Sequence, residues 1–137
     1  LEPLVAAVPA DPRALALAAD LLATSRDEQQ FTRALALAER AARLGRDVPQ
    51  AVEVATTLYI ASREPRLREE AARLALNAVG RNRKNPELRR ILAQTLWRLG
   101  RQKEAEAAAI AALADFRGTA DEEMLQDTAR RVGAKAP

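Results

Sequence analysis

From Pro12 onward, apolar residues recur every three or four positions with polar residues between them. That spacing lays one stripe of side chains along one face of an α-helix. No segment alternates with period two and β-branched residues are few, so a sheet is not expected. Gly and Pro cut the periodic stretch into seven pieces. Asp11-Pro12 and Asn85-Pro86 each read as an N-cap followed by Pro at the first helical position, and Asp47-Val48-Pro49 is a looser version of that signal. Gly45, Gly80 and Gly100 each follow a periodic run, where a helix ends in the left-handed conformation that Gly tolerates best. Thr119-Ala120-Asp121-Glu122 has the capping-box pattern and opens a last helix. The predicted helices are 12–24, 28–44, 49–62, 66–79, 86–99, 102–115 and 119–132.

Overlaying the second, fourth and sixth of these helices brings out a repeat. Ala34, Ala38 and Ala41 recur as Ala71, Ala75 and Ala78, and again as Ala105, Ala109 and Ala112, with offsets of 37 and 34 residues. Glu70-Ala71 matches Glu104-Ala105, and Pro12, Pro49 and Pro86 are each 37 apart. Positions i, i+4 and i+7 share one helix face. Alanine there lets an antiparallel neighbour approach at the short end of the usual axis separation of roughly 8–10 Å. A large side chain would overpack, at a cost of about 1–3 kcal/mol.

The stretch Asn85-Pro86-Glu87, Leu92-Ala93, Leu96, Gly100, Glu104-Ala105, Ala109 and Ala112-Leu113 resembles a tetratricopeptide repeat, a helix-turn-helix unit of about 34 residues. It departs at the aromatic positions. Leu96 stands where Tyr is usual and Ala109 where an aromatic is common, with Leu92, Leu96, Leu99 and Ile110 expected to supply the volume. The second unit keeps Tyr59 at the place of Leu96 but has a longer turn, Ser62-Arg63-Glu64-Pro65. The first has a polar turn, Ser25-Arg26-Asp27-Glu28. The resemblance implies an all-α, right-handed solenoid of about three repeats, 12–45, 49–80 and 86–115, with a capping helix at 119–132. Met124, Leu125, Ala129 and Val132 give that helix one apolar side, as the end of a solenoid requires. Residues 1–11 read as an extended segment or linker and 133–137 as a frayed tail.

Composition narrows the chemistry. The chain of 137 residues fits one domain, and its 32 alanines with only 3% aromatics call for an Ala/Leu core. Neither Cys nor His is present, which removes disulfides, thiol nucleophiles, the commonest metal ligand and the usual general base. Ser25, Ser62 and the threonines have no base beside them in the sequence, and Glu69, Glu70 and Glu104 read as helix-start carboxylates favoured by the dipole. No enzymatic activity and no cofactor are expected. Net charge is +3, with 22 basic residues against 19 acidic, a mixed surface rather than a polycation. Nearly all the basic residues are Arg, and joint Ala and Arg enrichment is what GC-rich coding produces. The run Arg81-Asn82-Arg83-Lys84, continuing to Arg89 and Arg90, lacks interleaved aromatics. It reads as a solvated loop, so nucleic acid is disfavoured as a partner. No apolar run is long enough to span a membrane. The opening segment has no initiator Met and no signal pattern, and the chain reads as a processed product or a piece of a longer protein.

The resemblance also implies where a partner would sit. The family binds peptides or protein segments on a concave face lined by the first helix of each repeat. By position that face comprises Arg13, Ala16, Asp20, Ala23 and Thr24, then Gln50, Glu53, Thr57, Ile60 and Ala61, then Glu87, Arg90, Gln94, Trp97 and Arg98. Trp97 follows the core-facing Leu96, so it is expected to turn toward the groove. An exposed Trp flanked by Arg is typical of interface hot spots, while the bland reading packs Trp97 on a neighbouring helix. The Lys and Asn residues with which some family members grip a C-terminal carboxylate are replaced here by Ala16, Asp20, Glu53 and Thr57. That clamp is therefore not expected. The leading expectation is an adaptor module for a protein or peptide, with Trp97→Ala or Arg90→Glu weakening binding at little cost in stability. The alternatives are a homo-oligomerisation module and a nucleic-acid-binding repeat.

Overall fold

A computed structural model of the chain describes residues 10–133. The expected extended segment lies outside these residues except for Ala10 and Asp11, and so does the expected tail except for Gly133. The described residues form seven helices and no strand. They are α1 (Pro12–Ala23), α2 (Glu28–Leu44), α3 (Pro49–Ala61), α4 (Pro65–Arg81), α5 (Pro86–Arg98), α6 (Gln102–Asp115) and α7 (Glu122–Arg131). No helix among them is long and apolar enough to cross a membrane.

Two of the predicted starts, Asp11-Pro12 and Asn85-Pro86, carry the expected capping bonds, whereas at Asp47-Val48-Pro49 the cap is Val48, with no side-chain bond. The Asp11 carboxylate accepts from the Arg13 amide at 3.1 Å, and the Asn85 side-chain oxygen accepts from the Leu88 amide at 3.2 Å. Each satisfies one of the orphan donors of a first turn. Asp27 does the same for α2, accepting from Gln29 at 2.9 Å. The ends depart from expectation. Of Gly45, Gly80 and Gly100, only Gly100 is left-handed, with φ 79. Gly45 has φ −127, and Gly80 lies inside α4. Gly45 is required instead by crowding: a Cβ there would stand 2.6 Å from Pro12 Cβ and 2.8 Å from Val48 Cγ2. In the turn between α3 and α4 the left-handed residue is Arg63, with φ 63. There the Ser62 hydroxyl donates to the Tyr59 carbonyl at 2.6 Å and accepts from the Glu64 amide at 3.3 Å, so local hydrogen bonds offset a conformation that is costly for a residue with a Cβ.

The last helix begins later than the capping-box pattern suggests. The Thr119 hydroxyl donates to the Phe116 carbonyl at 2.6 Å, and the Glu122 carboxylate accepts from the Gly118 amide at 3.3 Å rather than from Thr119. These bonds fold 116–121 into a turn, and α7 starts at Glu122. Glu69 and Glu70 likewise lie beyond the first turn of α4, and of the three proposed helix-start carboxylates only Glu104 occupies one.

The tightest packing joins α1 to α2, α3 to α4 and α5 to α6, and each pair then packs on the next. In addition α1 lies against α3, α3 against α5 and α5 against α7. All residues of the three Ala triplets are buried to 1% exposure or less, which is why the chain tolerates nothing larger there. Leu96 and Tyr59 are also buried. Ile110 corrects an expectation: it is exposed, and Leu88 and Ile91 supply core volume in its place. One cluster fills the space under α1 to α4, a second runs from Ala72 and Ala75 to Val132, and Val52, Ala78, Leu88 and Ile91 bridge between them.

Candidate functional site

Residues 53 and 57 stand one turn apart on α3, and 87, 90, 94 and 98 follow at spacings of three and four on α5, so each set shares a side of its helix. Packing of α3 on α5 turns these sides toward each other. Arg90 is the junction. Its guanidinium reaches Glu53 on α3 at 3.0 Å, Glu87 at 2.8 Å and the Gln94 oxygen at 2.9 Å. Arg98 donates to the Thr57 hydroxyl at 3.3 Å, a second tie between the helices. Burial alone would lower the Arg90 pKa, but the hydrogen bonds it donates to the Glu53 and Glu87 carboxylates outweigh burial and hold it above its ordinary value.

Asp20 joins from α1. With Glu53, Val54, Thr57 and Leu58 it lines a shallow hollow of about 260 Å³. Seven of the sequence-derived residues, Asp20, Glu53, Thr57, Glu87, Arg90, Gln94 and Arg98, thus form one polar strip across α1, α3 and α5. Trp97 lies beside the strip, 46% exposed. Arg13 and Gln50 are exposed at its margin. Ile60 is half-buried and packs on the core beneath.

Two assignments change. Ala16 is buried, at 1% exposure, and does not line a groove, while Ala23 is half-buried against the first core cluster, as Ile60 is. Leu17 replaces Ala16: it is 61% exposed, four residues after Arg13 and three before Asp20. That i, i+4, i+7 relation is the signal for it in the sequence. Arg90 is the other change. With its guanidinium engaged by Glu53, Glu87 and Gln94, Arg90→Glu would set a third carboxylate beside two others, so it is not a stability-neutral probe of binding.

Among the described residues no group of three or more His, Cys, Asp or Glu is placed to hold a metal ion. Chemically the strip offers donors and acceptors in alternation, with exposed apolar surface at Leu17 and Trp97. Comparison of the chain with family models, with curated proteins and with solved structures gives no match.

Proposed function

We propose that this chain is a protein-binding module of the tetratricopeptide type, a right-handed solenoid of three helix-turn-helix repeats closed by α7. It takes a peptide or protein segment along the face made by α1, α3 and α5, without catalysis and without a cofactor. The succession of α1 on α3, α3 on α5 and α5 on α7 and the buried Ala triplets support the repeat reading. The observation that carries the binding reading is Trp97, 46% exposed beside a strip already held in place by bonds between α3 and α5. A prearranged polar surface loses little side-chain freedom on binding, and an exposed aromatic supplies the apolar area that anchors a partner.

Trp97 is the single Trp of the chain, so its fluorescence reports on this face alone. Peptides selected against the full chain by display are expected to shift Trp97 emission on binding. Trp97→Ala is expected to weaken them by about tenfold or more, with stability changed by less than about 1 kcal/mol because the ring is half outside the core. Selected peptides that leave the emission unmoved and bind Trp97→Ala equally well would refute this face. A concentration-dependent emission shift without peptide would identify a second copy of the chain as the occupant.

A further inference from the structure

A second hollow opens between α2 and α4, away from the strip. Tyr59 marks the direction: two residues after Thr57 on α3, it points to the opposite side of that helix, where it is 5% exposed. The hollow has a volume of about 390 Å³, within the range of roughly 300–1,000 Å³ typical of ligand sites. Ala42, Leu67 and Leu74 give it an apolar floor, with Tyr59 among its lining residues. Along one edge stand Glu39, Arg43 and Arg46, and along the other Arg66, Glu70 and Arg81.

The charges are unbalanced. Four guanidiniums face two carboxylates, a net of 4 − 2 = +2. Among the described residues none of the four arginines has an ion pair within 4.0 Å. What sets the groove apart is that its four guanidiniums converge on one hollow with an apolar floor. Each unpaired guanidinium offers five N–H donors in a planar fork that matches carboxylate or phosphate oxygens.

We propose that the groove between α2 and α4 is a second binding site, which takes an acidic peptide segment and seats its anionic side chains among Arg43, Arg46, Arg66 and Arg81. This goes beyond the concave-face reading and does not depend on it. An extended peptide fits the groove's make-up, with small or apolar side chains on the Ala42–Leu67–Leu74 floor and carboxylates or phosphates reaching the two rims. Burial, reinforced by the Glu39 and Glu70 carboxylates and opposed by Arg43 and Arg66, pushes the Tyr59 hydroxyl up to about 12. Tyr59 therefore stays a neutral donor throughout the neutral range. A nucleic-acid strand fits less well. Its continuous phosphates would pass Glu39 and Glu70, and the buried Tyr59 ring offers no face on which a base could stack.

The test is fluorescence anisotropy with the full chain and two fluorescein-labelled probes, a Glu-rich heptapeptide and its phosphoserine counterpart. Saturable binding is expected, and whichever probe binds more tightly identifies the preferred anion. Arg43→Gln with Arg66→Gln is expected to weaken binding by about tenfold or more, while Arg13→Gln with Arg98→Gln, which removes equal charge from the other face, changes it by less than about twofold. Circular dichroism checks that both double variants are folded. Should the first not fold, Arg46→Gln with Arg81→Gln serves in its place with the same expectation. Absence of saturable binding by either probe, equal losses in the two double variants, or displacement of the peptide by a short single-stranded RNA that binds more tightly would overturn the proposal.

Discussion

Gly45 and Gly80 read alike in the sequence, each following a run of helical periodicity, yet they occupy opposite situations. Gly45 is buried where the start of α1 meets the turn into α3, and a methyl group there would meet Pro12 Cβ at 2.6 Å. The pyrrolidine ring is rigid, so the backbone has to move. Gly80 lies within α4, and a methyl group added to it would meet nothing within 4 Å. Gly45→Ala is expected to destabilise by about 1–3 kcal/mol through overpacking. Gly80→Ala is expected to stabilise by about 0.5–1 kcal/mol, because it limits the unfolded chain and suits the helix. Urea denaturation of the two variants checks the opposite signs, and a stabilised Gly45→Ala would show the close approach to be wrong. The Ala triplets were legible for the reason the two glycines were not. Burial at i, i+4 and i+7 leaves a period in the sequence, whereas a close approach between distant segments leaves none.

At the scale of the element, Arg89 shows what a charge run conceals. The sequence groups it with Arg81, Arg83, Lys84 and Arg90 as solvated surface, but Arg89 is 4% exposed. Its guanidinium donates to the Arg83 carbonyl at 3.1 Å, pairs with Asp115 at 2.8 Å and lies 6.0 Å over the Phe116 ring. It therefore ties α5 both to the loop before it and to the end of α6. Nothing in local composition separates Arg89 from its neighbours; only the pairing of α5 with α6 does. The two partners are unequal. Asp115 is the last residue of α6, where a carboxylate opposes the helix dipole by about 0.3–1 kcal/mol, and it is half exposed. Arg89→Ala loses packing and hydrogen bonds to a charged group, an expected loss of about 2–4 kcal/mol. Asp115→Ala loses the pair but relieves the dipole and leaves Arg89 its carbonyl partner, so about 1 kcal/mol is expected. Thermal denaturation of both variants orders them, and an Asp115 variant as damaged as the Arg89 variant would mean the ion pair, not the buried stem, dominates.

At the scale of the molecule, the candidate strip was legible in outline because helix side is periodic, but the ties that fix it were not. Glu53 and Arg90 lie on different helices, and their contact follows from α3 packing on α5. On the proposed repeat reading the same stacking makes stability local, since the closest packing runs between neighbouring helices and repeat arrays behave as sums of nearest-neighbour terms. The helix α7 is the last of them. Its Leu125 and Ala129, with Val132 just after it, are each 2% exposed or less in the second core cluster, and Gln102 at the start of α6 donates to the Val132 carbonyl. Removing residues 119–137 uncovers the apolar sides of α5 and α6. Burial of the Leu and Val side chains alone contributes about 1.5–3 kcal/mol each, so a loss of roughly 3–6 kcal/mol is expected in the second cluster. Hydrogen exchange should localise it: amides of α5 and α6 exchange faster, while those of α1 and α2, which meet α7 only through intervening helices, keep most of their protection. Light scattering should also show association of the truncated chain through the uncovered side. Uniform loss of protection across all remaining helices would instead mean that the chain unfolds as one cooperative unit, with α7 as much a part of the first core as of the second.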